Sequence, residues 1–361
     1  MSATTPPDSS TTTPAAVPGT ASRRYSWRRL PVIRQLRQSV GVQRGMLITG
    51  LVIVGLMLAA ALLAPLITPY GPSQLRGEDG LFGARQAPSA EHWLGTTAGG
   101  YDVFTRTIYG TQTALLVIIV AVAFSLFIGV ALGLISGYYG GWVDRVLVVV
   151  ADAIYAFPTL LLAIVTAIVI SGGSSSLWGG IMATAVAITV VFVPQYFRVI
   201  RAETLRIKTE AYVEAARVIG TPTLRIMVRH VLRNATRSLP LLVTLNAAEA
   251  ILTLAALGFL GFGIEPSAAA EWGYDLNRSV SDVSSGIWWT SLFPGAAIVL
   301  MVLGVTLVGE SLQDLADPRL RTRRRTDSQA PQATASAPVS AGGAAAGVPK
   351  GTGPSEIGPS S

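Results

Sequence analysis

The chain of 361 residues is 50% hydrophobic and only 13% charged, about half the charged fraction of a soluble domain, so its setting is the lipid bilayer. It has no cysteine and two histidines, His92 and His230, which excludes a disulfide framework, a thiolate metal site and a histidine cluster; no metal and no cofactor is expected. The formal charge of +7 does not signal nucleic acid, because the arginines crowd beside apolar runs instead of forming a folded basic domain. Neither lysine, Lys208 or Lys350, sits in the G-x-x-x-x-G-K-[ST] frame that cradles a nucleotide phosphate.

In chain order, residues 1–22 are rich in Ser, Thr, Pro and Ala and are expected to be a disordered tail. Residues 23–45 form a basic segment with Arg23, Arg24, Arg28, Arg29, Arg34, Arg37 and Arg44 and no acid. The apolar run that follows is too long for the core of a cleaved signal peptide and reads as an uncleaved anchor. Residues 46–318 then hold six apolar stretches near the roughly 20 residues that cross a bilayer: Met46 to Ile67, Thr113 to Ile135, Val146 to Ile170, Gly179 to Ile200, Leu239 to Gly263 and Trp288 to Leu312. Pro158 is expected to kink the third. Residues 319–361 are basic at first and then expected to be disordered.

Arginine placement sets the orientation. The basic segment, the loop between the fourth and fifth stretches (Arg201, Arg206, Lys208, Arg217, Arg225, Arg229, Arg233, Arg237) and the tail (Arg319, Arg321, Arg323, Arg324, Arg325) share one side. The opposite loops hold few arginines, and the last carries Glu265, Glu271, Asp275 and Asp282. Both termini are therefore expected to be cytoplasmic. Neither a repeat of 20 to 50 residues nor a pair of broken helices in matching halves is evident, which argues against an ion-coupled carrier.

The loop 201–237 is too long for a turn. Glu210 to Ile219 predicts a short amphipathic helix with Ala211, Ala215 and Ile219 on one face and a Glu214–Arg217 pair. Gly220 ends it, and Thr221 is placed to cap a second helix with Pro222 at its first position. On that helix Arg225, Arg229, Arg233 and Arg237 form a basic stripe beside Leu224, Val228 and Leu232. Such a stripe suits either anionic headgroups or a partner protein.

Two acids fall inside apolar stretches. Asp152 either bonds backbone freed near Pro158 or lines a translocation path, and Glu249, near the middle of the fifth, is paired, protonated or pore-lining. Trp288 and Trp289 read as an interfacial aromatic belt. Asp102 and Arg106, one turn apart, read as pairing with each other or with a neighbouring loop.

Glu214, Ala215, Ala216 and Gly220 fill the pattern E-A-A-x-x-x-G, which resembles the coupling motif of bacterial ABC importer permeases of the peptide branch. The likeness runs from about Gln43 to Arg321. His92-Trp93-Leu94-Gly95-Thr96, then Asp102-Val103-Phe104 and Arg106 to Tyr109-Gly110, resemble that family's H-P/W-x-G-T-D-x-x-G-R-D-V block, with Thr97 and Tyr101 in place of its first Asp and its Arg. Asp144, Phe157-Pro158, Arg201-Ala202-Glu203, Ala255 to Gly261, Trp272-Gly273, Phe293-Pro294-Gly295 and Asp317-Pro318-Arg319-Leu320 follow in family order; Arg233 stands where the family has Pro. The chain is similar to the C-type subunit of dipeptide and oligopeptide importers.

That resemblance implies an all-α membrane protein of the type I ABC importer permease kind, in the bacterial plasma membrane, that itself catalyses nothing. It implies a homologous B-type permease, two ABC ATPase domains, an extracytoplasmic substrate-binding protein and a peptide substrate. Glu210, Glu214, Ala215, Ala216 and Gly220 would couple to the ATPase, and Asp152 and Glu249 would be candidates for the path. Import of a nickel chelate, glutathione or haem, or a membrane scaffold without transport, are the alternatives.

Overall fold

The computed structural model describes residues 42–77, 80–171 and 177–316. The expected tails and almost all of the basic segment lie outside the described residues. The elements are helices α1 (Val42–Ile67), α2 (Val103–Tyr139), α3 (Gly141–Tyr155), α4 (Thr159–Ser171), α5 (Leu177–Ile207), α6 (Ala211–Val218), α7 (Thr223–Arg225), a π segment (Ile226–Leu232), α8 (Arg233–Ala235), a 3₁₀ turn (Thr236–Ser238), α9 (Leu239–Phe259), α10 (Trp272–Ser284) and α11 (Trp289–Ala316). A two-residue antiparallel pair, Arg76–Gly77 with Gly80–Leu81, lies between α1 and α2.

Five of these helical stretches are long and apolar enough to cross a membrane, and α3 with α4 makes a sixth if counted as one span. Those two are bent by 98°, so the single kinked helix expected over Val146 to Ile170 is instead broken. Pro158 has no N–H to continue the ladder and its ring crowds the preceding turn, and α3 ends at Tyr155.

The core forms where α2 crosses α5. Gly129, Gly133 and Gly137 repeat every fourth residue along α2, and a Cβ on any of them would meet Tyr196, Phe197 or Thr204 of α5 at 2.5–2.7 Å. Without a hydrophobic drive inside lipid, such small-residue stripes let two backbones approach and gain dispersion. Val117, Ala121, Ile188, Phe192, Tyr196 and Ile200 fill the surrounding core.

On the side expected to face outward, the loops before α2 and around α10 fold into a polar cap. Asp102 accepts from the Thr105 N–H (2.8 Å) at the start of α2 and pairs with His92 Nδ1 (2.9 Å). Arg106 does not reach Asp102; its Nε donates to both carboxylate oxygens of Asp275 (2.8 and 2.9 Å) and its Nη1 to the carbonyls of Pro72 and Pro266. Arg85 reaches Asp282 at 2.6 Å, and the Trp272 indole donates to the Thr107 carbonyl at 3.0 Å. Thus three acids of the last loop, Glu271, Asp275 and Asp282, are buried, while Glu265 stays exposed.

Candidate functional site

The segment after α5 is a helix, a hinge and a second helix. Glu210, in extended backbone, precedes α6. Val213 and Ala216 are the buried positions of α6, and they belong to one core with Ile226, Met227 and Val231 of the π segment. This corrects the expected apolar face: Ala211, Ala215 and Ile219 point outward. The larger Val213 takes the inward position, so small alanines remain outside. Among the described residues Glu214 and Arg217 form no ion pair; Arg217 lies over the Tyr138 ring at 5.8 Å.

Gly220 has φ +79°. Its N–H donates to the Arg217 carbonyl (3.0 Å), and the Thr221 N–H donates to that of Ala216 (3.1 Å), the paired bonds of a Schellman ending, which favours glycine. Thr221 does not cap the second helix, because that helix starts one residue later than expected: Pro222 is the flanking residue of α7 and Thr223 the first helical one. The tip around this hinge is apolar and exposed, with Val218 at 86%, Ile219 at 80% and Leu224 at 71% of full accessibility.

Ionic contacts tie the carrier of this tip to the elbow between α2 and α3. Arg201 of α5 grips Asp144 through two bonds (2.5 and 2.7 Å), and Ser136 also donates to Asp144. Lys208 donates to the Gly137 carbonyl at 2.8 Å, in the last turn of α2. Asp152 bonds no freed backbone near Pro158; it pairs with Arg198 at 2.7 Å, both side chains about half exposed. Glu249 is half-buried in α9, and among the described residues its carboxylate has no ion-pair partner. One turn earlier lies Asn246, buried, with an unpartnered Nδ2. The residues expected to couple, Glu210, Glu214, Ala215, Ala216 and Gly220, are thus gathered on one loop, whereas Asp152 and Glu249 stand on separate helices.

Residues 129–322, which include the whole hinge, match the family model described as binding-protein-dependent transport system inner membrane component. The chain belongs to this family. A second model, the N-terminal transmembrane domain of oligopeptide transport permease C, matches residues 43–88. A dipeptide transport system permease protein of Alkalihalophilus pseudofirmus is 38% identical over 76% of this chain and 86% of its own length. A glutathione transport system permease protein of Pectobacterium atrosepticum is 34% identical over 83% and 92%. A solved structure of the MetNI methionine ABC transporter, inward facing, covers 61% of this chain and 95% of that chain with 21% identity and a TM-score of 0.44. As a family member the chain is a multi-pass transport subunit and carries out no catalysis itself.

In this permease the family-ordered strings Ala255 to Gly261 and Trp272-Gly273 meet at one junction. The Glu271 carboxylate accepts from the N–H groups of Gly273 (2.8 Å) and Tyr274 (2.7 Å), capping α10, and it lies directly on Gly258 of α9, where a side chain would overlap it. Burial pushes its pKa up to about 8 against the lowering effect of those two N–H groups. Burial also raises that of Asp275, opposed by Arg106. A carboxyl whose folded pKa is raised holds its proton more tightly when folded, so its contribution is complete below about 4.5 and lost as pH rises through about 8. Glu271→Gln is therefore expected to flatten the fall in thermal stability across that window. An unchanged pH profile of melting would show that Glu271 is not the titrating group.

Proposed function

We propose that this chain is the C-type permease of an ATP-driven importer of dipeptides or oligopeptides and forms half of the translocation path. The observation that carries the reading is the pairing of the core family match with the oligopeptide-permease match at residues 43–88; the 38% identical relative named for dipeptide transport supports the substrate class. The other half is a homologous B-type permease, two ATPase domains dock beneath, and a binding protein delivers peptide from outside. Residues 46–318 act as the transport domain and 201–237 as its coupling loop.

ATPase closure would push on the exposed tip, with Glu210, Glu214, Ala215 and Gly220 at the contact and Ala216 holding α6 to its own chain. The push passes into α5 and, through Arg201–Asp144 and Lys208–Gly137, into the α2–α3 elbow. A rigid helix clamped at its end moves as a lever, which is what alternating access requires. The test is growth on defined dipeptides as the sole source of a required amino acid, with and without the gene. Unimpaired growth without it, and no loss of peptide uptake, sinks the reading. The glutathione relative favours one rival, and the same strains on glutathione as sulfur source decide it.

Orientation follows the arginine asymmetry, with the coupling loop in the cytoplasm. Because the chain has no cysteine, single substitutions report cleanly: Ser281→Cys is expected to label with an impermeant maleimide in intact cells, and Thr221→Cys only after lysis. The reverse pattern overturns the topology. Glu249 is proposed to face the path, since an unpaired acid in mid-membrane is too costly to keep in lipid. Glu249→Leu is expected to leave assembly intact and cut uptake about tenfold or more; higher stability with unchanged uptake would mark it as a buried cost alone.

A further inference from the structure

Arg225, Arg229, Arg233 and Arg237 are exposed, and none of them is in an ion pair with a described acid. In an α-helix, positions four apart drift by about 40° per step, so such a row would wind around the helix. Here Ile226–Leu232 is a π segment. Its i→i+5 turn holds more than four residues, so the same step falls short of a full turn where an α step overshoots. The first two steps lie in the π segment and lag, while the last crosses α8 and the 3₁₀ turn and overshoots, so the drifts have opposite signs along the row.

Depth divides the row. The apolar helix Leu239–Phe259 has 21 residues, about 31 Å at 1.5 Å per residue, which fills a hydrocarbon layer of about 30 Å. Its start therefore marks the hydrocarbon edge. At about 2.0 Å per residue in the 3₁₀ turn and 1.5 Å in α8, Arg237 and Arg233 lie about 4 and 10 Å outside that edge along the axis and Arg229 and Arg225 further out, while the headgroup layer is about 5–8 Å deep. Long arginine side chains reach back towards it, so the first two stand at headgroup level and the last two do not.

At the same level a pocket of about 260 Å³ opens between the end of α5 and the row, lined by Arg206, Ile207, Glu210, Tyr212, Asn234 and Arg237. Arg206 is paired with Glu203 (2.8 Å) and Glu210 (3.8 Å), whereas Arg237 is in no ion pair among the described residues and is the guanidinium free to meet an anion. Asn234 Nδ2 donates to the Tyr212 hydroxyl oxygen (3.0 Å) and to the His230 carbonyl (2.9 Å). The tyrosine therefore accepts on its oxygen and keeps its own proton to donate.

We propose that this pocket binds the phosphate of an anionic phospholipid, with Arg237 and the Tyr212 hydroxyl as donors and Arg233 alongside. Because Tyr212 belongs to α6 and Arg237 to the foot of α9, such a lipid would brace the coupling helix against the membrane edge. This inference goes beyond the import reading and holds whatever the substrate is. The intact transporter, purified with its ATPase, is exchanged into phosphatidylcholine nanodiscs containing about a third phosphatidylglycerol, then into phosphatidylcholine detergent micelles, and retained lipid is read by mass spectrometry. Wild type is expected to retain phosphatidylglycerol, also in excess inorganic phosphate. Arg237→Gln with Tyr212→Phe is expected to reduce it about tenfold with the ATPase still bound, and Arg225→Gln with Arg229→Gln to leave it unchanged. Arg237→Lys, which keeps the charge, is expected to retain part of the lipid, so a folding defect is distinguishable. The proposal is overturned if the proximal variant keeps its lipid, if free phosphate displaces the lipid, or if the ATPase is lost in its place, the last making the row a protein-docking face.

Discussion

Arg106→Leu is expected to cost about 3–5 kcal/mol of stability, the loss seen when one partner of a buried ion pair is removed. The guanidinium is 1% exposed and its partner Asp275 is 7% exposed, so neither can turn to water once the other is gone. It also fastens the Pro72 and Pro266 carbonyls, joining the segment after α1 to the one after α9, and it faces Tyr101 at 4.8 Å. With leucine in place, Asp275 would have no counter-ion in a buried site that also holds the Glu271 carboxyl, and its charge would be stranded unless it takes up a proton. Thermal unfolding of the purified transporter should show the drop, and the double variant Arg106→Leu with Asp275→Leu should recover much of it, because it removes the stranded charge with its partner. If the single variant melts with wild type, the pair carries nothing and the cap is held by its backbone.

That tether also marks where the sequence stops being readable. Apolar runs and the arginine asymmetry are one-dimensional signals, so five of the spans begin or end close to where hydropathy places them. The break at Pro158 was visible as a proline but not as a 98° turn, because the sharpness depends on what packs around the freed carbonyls. The stripe Gly129, Gly133 and Gly137 is a small-xxx-small pattern that identifies the α2–α5 crossing, and it was there to be found. In contrast, Arg106–Asp275 spans 169 positions and Arg85–Asp282 spans 197; no local periodicity carries such a pairing. The inward face of α6 is hidden from the sequence for the same reason. Ala211, Ala215 and Ile219 fit a helical stripe as well as Val213 and Ala216 do, and only the tertiary seat on Ile226 and Met227 decides between them.

Gly220→Val is expected to disable coupling while leaving the spans folded. A Cβ at Gly220 meets nothing within 4 Å, but the backbone sits at φ +79°, so the penalty is conformational, about 1–2 kcal/mol for a residue with a side chain. It falls on the Schellman ending, which sets the direction in which the chain leaves α6 and hence the presentation of Val218, Ile219 and Leu224. Asparagine tolerates this region better than other residues with side chains, so Gly220→Asn should retain most activity. Ala215→Arg provides the independent arm: Ala215 is exposed and Ala216 is buried, so bulk at the first obstructs a docking partner and bulk at the second merely unseats α6. In reconstituted vesicles, Gly220→Val and Ala215→Arg should lower peptide-stimulated ATP hydrolysis about tenfold or more, and Ala215→Arg should also reduce co-purification of the ATPase. If both variants hold the ATPase and hydrolyse at the wild-type rate, the tip is not the coupling surface. The Arg201–Asp144 and Lys208–Gly137 links would then have nothing to transmit.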